Sequence, residues 1–372
     1  MNKIKVLQIG KYYHPCRGGF ESSLYTLVNE LKDKFQFQVL AAHTKRKTVV
    51  EKFENLTITR LANLGNIFSQ PITPMLPFWI KRAKADIVHL HLPNPLAMIS
   101  YLMVSPEGKL IISYHGDIVR QKIAAIFLYP LLIRILDRAD AIVVTSENLL
   151  NNSRILKRFR QKSHVIPHGI DIDKFKATPQ ILDESEKIKR SIGKLIILFV
   201  GRLVYYKGLE YLIRAMKDID AKLMIIGEGP LGLRLRLFAK LLKVGDKILW
   251  LGEVADEALP IYYHACDIFA LPSCADSESF GLVILEAHAS GKPVISTNLP
   301  TGVTFTNLHQ KTGLVVPPRD SQALADAIDT LISSKELIDR YGQSGRERVG
   351  REFTKENMAQ KFLALYNDIT SR

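Results

Sequence analysis

The stretch "LIILFVGRLVYYKGLEYLIRAMKD", Leu195 to Asp218, decides the fold of this chain. It opens on a short continuous apolar run, the pattern of a strand buried on both faces of a sheet. A glycine and a cationic loop follow, and "GLEYLIRAMKD" then reads as a helix. Strand, loop, helix is the repeating unit of a parallel α/β sheet. The unit also recurs upstream. Strands are predicted at "KIKVLQIG", "FQVLAAH", "ADIVHLHL", "KLIISYHG", "ADAIVVTS" and "SHVIPHG", with a first helix placing Leu24, Leu27, Val28 and Leu31 on one face. Downstream it continues through "AKLMIIGEG", "KILWLGEV", "IFALPS", "PVISTN" and "GLVVPP", ending in helices. Between the two series lies a polar stretch, Asp171 to Lys194, without a strand pattern, which reads as a linker. The expectation is two doubly wound α/β domains facing across a cleft, where the carboxyl ends of such strands bind ligands.

A chain of 372 residues suits two domains, and 47% hydrophobic with 24% charged residues is ordinary for a folded protein. Cys16, Cys266 and Cys274 form no C-x-x-C pair, so neither a zinc site nor a disulfide framework is expected, and a reducing compartment fits. No apolar run is long enough to span a membrane; the nearest, Ile123 to Val144, is interrupted by Pro130, Arg134 and Asp137. The opening residues read as a first buried strand rather than a leader. The net charge of +14 is uneven. Residues 1–190 hold 29 Lys+Arg against 16 Asp+Glu, while 191–372 hold 22 against 21. A basic half beside a neutral one implies an anionic partner for the first half, with nucleic acid and an anionic membrane as candidates.

Several loops carry chemistry. "SESFGLVILEAHASGKP" sets Glu278 and Glu286 on either side of a helix start expected near Phe280. Six residues rise about 9 Å. A diphosphate at that helix N-terminus would meet free N–H groups, and the two carboxylates could each accept a hydroxyl, one from a sugar and one from a ribose. Arg202 and Lys207, before the helix opened by Gly208, suit a diphosphate, although a solvated loop reads equally well. "GEGPLG", Gly227 to Gly232, matches a dinucleotide fingerprint, but Pro230 and its place in the second unit favour a tight turn lining a ligand. Gly18 and Gly19 precede a helix and would open backbone N–H groups to an anion, or form a plain turn. His115 and Asp117 end a buried strand, where a histidine can bond a ligand hydroxyl or be structural. His89 and His91 point the same way along one strand, without a third ligand at metal spacing, and the Asp171 and Asp218 triplets are also poorly placed for a metal.

Taken in order, "RGGFESSLYTLVNEL", "SYHGD", "VIPHGIDIDKF", "FVGRLVYYKGLEYLIRAM", "IIGEGP" and "SESFGLVILEAHASGKPVIS" resemble the large retaining glycosyltransferase family 4, which includes bacterial mannosyl- and glucosyltransferases. The resemblance runs from the first strand to the last helix, and the E-x7-E segment is its most specific part.

That resemblance implies a GT-B fold of two Rossmann-like domains. Residues 1–175 would bind the acceptor and 190–354 the nucleotide-sugar donor, with a C-terminal helix near 355–372 packing back on the first. It implies metal-independent transfer with retention, by same-face attack in which the leaving phosphate takes the acceptor proton. Glu278 would hold sugar hydroxyls rather than act as a covalent nucleophile, with backbone contacts from Phe280, Gly281 and Leu282. Glu286 would bind the ribose. Arg202 and Lys207 would clamp the diphosphate. Gly18 and Gly19 would form a loop closing over the donor, His115 would contact the sugar, and Gly227 and Val254 would lie beside the base. Relatives commonly carry Asn where His168 stands, which leaves that residue without an inherited role. No cofactor beyond a GDP- or UDP-linked donor is implied, and mannose is the favoured sugar. The acceptor would be a glycan or a lipid-linked molecule in cell-surface polysaccharide or glycolipid synthesis. The enzyme would be cytoplasmic and peripheral at the inner face of the membrane, its basic half on anionic lipid. "LPFWIKRAK" (Leu76 to Lys84) and "RILKRFRQK" (Arg154 to Lys162) pair cations with apolar residues, and Phe78 and Trp79 are candidate anchors. A nucleotide-sugar 2-epimerase and a non-catalytic subunit of a transferase remain open alternatives. Nucleic acid is not expected, since no stacking motif accompanies the charge.

Overall fold

Apolar runs form the strands of two parallel sheets in the computed structural model, which describes residues 3–16, 18–67, 70–116 and 122–372, the side chains of 122–127 excepted. The chain divides into two compact units. Unit 1 comprises 1–169 and 355–372; unit 2 comprises 170–354.

Unit 1 is built from β1 (Lys5–Ile9), α1 (Gly19–Leu31), β2 (Gln36–Ala42), β3 (Val49–Phe53), β4 (Leu56–Leu61), a small β5–β6 ladder (Asn66–Ile67 with Gln70–Pro71), α2 (Leu76–Arg82) and β7 (Ile87–Leu92). It continues with α3 (Pro95–Val104), β8 (Lys109–Tyr114), α4 (Lys122–Arg138), β9 (Ala141–Val144), α5 (Glu147–Asn152) and β10 (Ser163–Val165). The sheet order is β10-β9-β8-β7-β1-β2-β4-β3, parallel except for β3. The order reverses at β1, so β1 and β7 flank a switch point. One face packs on α2, α3 and α4. The other packs on α1 and on the last helix of the chain, which lends Met358, Phe362, Leu365 and Tyr366 to that core.

Unit 2 opens with a 3-10 turn at Ile172–Phe175, and its first α-helix is α6 (Pro179–Ile192). The sequence reading of 171–194 as a linker is corrected here. Thr178 caps the helix by accepting from the Ile181 N–H, Pro179 sits in its first turn, and Gly193 ends it in the left-handed region. Ile188 and Ile192 pack on the core, so a polar composition concealed an amphipathic helix. Then follow β11 (Ile196–Val200), α7 (Leu209–Ala215), β12 (Lys222–Ile226), α8 (Gly232–Leu241), β13 (Ile248–Gly252), α9 (Leu259–Ala265), β14 (Ile268–Leu271), α10 (Leu282–Ala289) and β15 (Val294–Thr297). The unit closes with α11 (Val303–Thr306), β16 (Gly313–Val316), α12 (Ser321–Ile332) and α13 (Lys335–Glu352); α14 (Lys355–Ser371) is the helix that returns to unit 1. The second sheet is parallel in order β13-β12-β11-β14-β15-β16, and its switch point lies between β11 and β14.

The units differ in charge. Unit 1 holds 27 Lys+Arg against 13 Asp+Glu, and unit 2 holds 24 of each. Most of the Arg154–Lys162 stretch, Leu156–Lys162, is packed on unit 1. It is a 3-10 segment whose Leu156 and Phe159 are buried in the core, while Lys162 donates to the Asp137 and Ala139 carbonyls. On α2, Phe78 is 50% exposed beside the exposed Lys81 and Arg82, and Trp79 leans on the core. Among the described residues no helix is long and apolar enough to cross a membrane.

Candidate functional site

In unit 2 the loops that follow β11, β12, β13 and β14 gather at the carboxyl edge of the sheet, around its switch point. The β11 loop makes a turn of 3-10 helix at Tyr205–Lys207, and the β14 loop runs from Pro272 to Gly281. They are tied together: the Cys274 N–H donates to the Tyr206 carbonyl at 2.7 Å, and the Tyr205 and Ser277 hydroxyls meet at 3.1 Å. Gly208 makes the approach possible. Its φ is 62°, and a Cβ there would overlap the Pro272 carbonyl oxygen.

Across this junction Lys207 Nζ lies 2.6 Å from Glu278 Oε2, with both side chains 10% exposed. Ser273 Oγ donates to the same oxygen at 2.9 Å. Burial is the largest influence on the Lys207 ammonium and alone would depress it; the Glu278 charge and hydrogen bond, together with Tyr206 and Glu286, outweigh it, and the net direction is upward. Glu278 Oε1 makes no hydrogen bond to a described residue. Glu286, the fifth residue of α10 and so just over one turn in, is bound in the same one-sided way. The buried Tyr263 hydroxyl donates to its Oε2 at 2.7 Å. Burial pushes its carboxyl upward, against the lowering effect of that hydrogen bond. Two half-satisfied carboxylates therefore flank the start of α10, each with one oxygen held by protein and one available to a hydroxyl.

The helix itself begins two residues later than the spacing suggested. Gly281 is its N-cap, at φ 80° and ψ 60°, and Leu282 its first residue. Phe280 does not face the site; its ring is buried against Phe305 and Phe353. Its carbonyl accepts from Thr306 Oγ1. The first amides of α10 have no intrahelical acceptor and carry the positive end of the helix dipole. Arg202 is exposed just past β11 and has no ion-pair partner among the described residues. Gly227 follows β12 and donates its N–H to the Gly252 carbonyl at 2.7 Å, and half-buried Val254 follows β13. The "GEGPLG" segment is the turn from β12 into α8. Arg202, Lys207, Gly227, Val254, Glu278, Gly281, Leu282 and Glu286 thus share one edge of one unit.

The remaining candidates belong to unit 1. His115 follows β8 and is buried, with the Phe20 ring stacked on it at 4.4 Å and His168 stacked at 5.5 Å and 19°. His168 Nδ1 meets Ser23 Oγ at 2.6 Å, which gives the residue a structural partner. Burial lowers both imidazoles, His168 to about 4 and His115 well below the ordinary range, so neither carries charge near neutrality. Gly18 caps α1 in an extended conformation that any residue adopts, and Gly19 is its first residue. Asp117 lies outside the described residues. Among the described residues no group of three His, Cys, Asp or Glu side chains is arranged around a metal position. Sequence reasoning missed Ser273 and Tyr263, the partners of the two glutamates, and the fact that Lys207 and Glu278 meet. The signal for Tyr263 was weak, a tyrosine in a helix that reads as ordinary core.

Comparison with known proteins adds to this geometry. Residues 17–174 match the model "Glycosyltransferase Family 4" and residues 181–348 the model "Glycosyl transferases group 1". The chain is 30% identical to the O-antigen chain mannosyltransferase C of Escherichia coli, covering 98% of this chain and 99% of that one. It is also 30% identical to a GDP-mannose-dependent alpha-(1-6)-phosphatidylinositol monomannoside mannosyltransferase of Mycobacterium tuberculosis, over 96% of each. The sucrose-phosphate synthase of Thermosynechococcus elongatus shares the fold at a TM-score of 0.83 and 23% identity, covering 99% of this chain and all of that one.

Proposed function

Because the chain belongs to the family 4 glycosyltransferases, we propose that it moves mannose from a GDP-linked donor held by unit 2 to a glycan or lipid-linked acceptor. Transfer proceeds with retention and without a metal or other cofactor. The observation that carries this reading is the pair of carboxylates flanking α10, each bound through one oxygen. Glu278 Oε1 takes sugar hydroxyls, and the free oxygen of Glu286 takes the ribose. Glu278 Oε2 is already engaged by an ammonium and a hydroxyl, which favours a binding acid over a covalent nucleophile. The diphosphate lies at the N-terminus of α10, and Arg202 with Lys207 stabilises the charge that develops on it as the glycosidic bond breaks. A leaving group so held can take the acceptor proton from the same face. The nucleobase lies near Gly227 and Val254. The names of the two relatives, both mannosyltransferases, support mannose and a polysaccharide or lipid acceptor.

We further propose that unit 1 docks on an anionic membrane surface through α2, which sets exposed Phe78 beside Lys81 and Arg82 on the unit that carries the whole excess of positive charge. The enzyme then works at the inner face of the cell membrane.

The test is nucleoside diphosphate release by the purified chain from GDP-mannose and, separately, UDP-glucose, with and without chelator. Release from GDP-mannose is expected, unaffected by chelator and lost in Glu278→Gln. Release from UDP-glucose alone would refute the mannose assignment, and abolition by chelator the metal-independent one. The anomeric configuration of the product, read by NMR, decides retention.

A further inference from the structure

A row of buried polar side chains lies behind His115 in unit 1. Gln8 comes from β1, His89 and His91 from β7, Ser113 from β8 and Tyr366 from α14. Gln8, His89 and Tyr366 are completely buried, so their polar atoms need partners. They have them. Gln8 Nε2 donates to the Tyr366 hydroxyl at 2.9 Å, which also meets His89 Nδ1 at 2.7 Å. His89 Nε2 meets Ser113 Oγ at 2.8 Å. His91 Nε2 meets Gln8 Oε1 at 2.9 Å, and His91 Nδ1 meets His115 Nε2 at 3.1 Å.

The directions of these bonds depend on one another. Gln8 Oε1 is a carbonyl oxygen and cannot donate, so His91 Nε2 carries a proton. Burial lowers His91 to about 3, so the ring is neutral and has a single N–H. His91 Nδ1 is then a bare acceptor, and His115 Nε2 must supply the hydrogen of the 3.1 Å bond. His115 is neutral as well, which leaves its Nδ1 bare. That nitrogen is buried, has no hydrogen-bond partner among the described residues, and lines a small cavity with Phe20, Ser23 and Thr145. The other branch closes too: the Tyr366 hydroxyl accepts from Gln8 and donates a hydrogen bond to His89 Nδ1, and His89 Nε2–H donates to Ser113 Oγ. Turning the Gln8 amide over would reverse the row, and His115 Nδ1 would become a donor.

We propose that Gln8 is a positioning residue that, acting through His91, fixes His115 in the tautomer whose Nδ1 accepts a hydrogen bond from a substrate hydroxyl. The proposal rests on the reading of His115 as a sugar-contacting residue. The orienting group is thus two hydrogen bonds from His115 and three from the substrate, on a different strand, and anchored by the terminal helix.

The experiment uses the full chain labelled with 15N-histidine, in which long-range 1H–15N correlation spectra distinguish the two neutral tautomers; His115→Ala assigns the signal. His115 is expected with its proton on Nε2. A proton on Nδ1, or a charged ring near neutral pH, would overturn the proposal. Gln8→Met removes the carbonyl and is expected to give a mixture of tautomers, with kcat down about ten- to a hundred-fold and the donor KM unchanged. In a His115→Ala background the same substitution should change kcat no further, because both act on one group. An equal fall in both backgrounds would mean that Gln8 acts through packing alone, and would sink the idea. The spectra need no turnover. A wild-type chain without transfer but with the expected tautomer therefore points to an error in the functional reading, and a transferring chain with the other tautomer to an error in this one.

Discussion

Removing the carboxylate of Glu278 should unbalance unit 2 as well as stop transfer. The Lys207 ammonium and the Glu278 carboxylate are 2.6 Å apart with 10% of each side chain exposed. At an effective dielectric of about 20 their attraction is roughly 6 kcal/mol. Taking both charges out of water costs several kcal/mol each, so the pair as a whole adds little net stability. The single substitution Glu278→Leu leaves the ammonium buried without its partner, and a loss of about 3–5 kcal/mol is expected. With the Glu278 charge and hydrogen bond gone, burial, the largest influence on Lys207, would then push it below its ordinary range. The double substitution Lys207→Met with Glu278→Leu removes both charges and should restore most of the stability, while remaining inactive. The assay is urea unfolding followed by tryptophan fluorescence. The chain has two tryptophans, Trp79 in unit 1 and Trp250 in unit 2, so a Trp79→Phe background reports on unit 2 alone. A single variant within about 1 kcal/mol of its parent, or a double variant no better than the single, would refute this account of the pair.

Three other outcomes follow from the geometry. Burial raises the Glu286 carboxyl, so the folded chain holds that proton more tightly than the unfolded chain, and this group costs stability as pH rises through its folded value. Glu286→Gln cannot ionise; its melting temperature should exceed that of the wild type at about pH 8, the gap closing towards about pH 4, and a gap that widens on acidification would contradict the sign. Gly208→Ala puts a side chain at φ 62° against the Pro272 carbonyl, and should cost at least about 2 kcal/mol and abolish donor binding, measured by denaturation and by thermal shift with GDP-mannose. Neutralising Lys81, Arg82 and Lys84 removes about 1 kcal/mol of lipid attraction each, so sedimentation with phosphatidylserine vesicles at low salt should weaken roughly a hundred-fold; unchanged sedimentation would clear α2 of the role.

The buried strands were legible because parallel strands covered on both faces are continuous apolar runs, as in Ile196–Val200. β3 and β4 were missed. β3 is an antiparallel edge strand with Phe53 exposed and Lys52 in its run, and an edge strand does not need that apolar continuity. α6 was hidden by the same logic, since its apolar face is only a narrow stripe. Glu278 and Glu286 were visible because both lie on one short segment. Their partners were not: Lys207 reaches Glu278 across the junction of two loops that only the strand order β11-β14 makes neighbours. The row behind His115 is further from view, since it joins residues 8, 91 and 366 through sheet order and the return of the last helix.

That return has a bearing on how the protein is made. The core of unit 1 needs Phe362, Leu365 and Tyr366 from the final segment, whereas every residue of unit 2 has been synthesised once Thr354 is in place. On the ribosome the neutral second unit can therefore close while the basic first unit still waits for its last helix. A chain truncated ahead of Lys355 should leave a finished second unit joined to a first unit with an open seam of exposed β-sheet, a form that chaperones would be expected to hold.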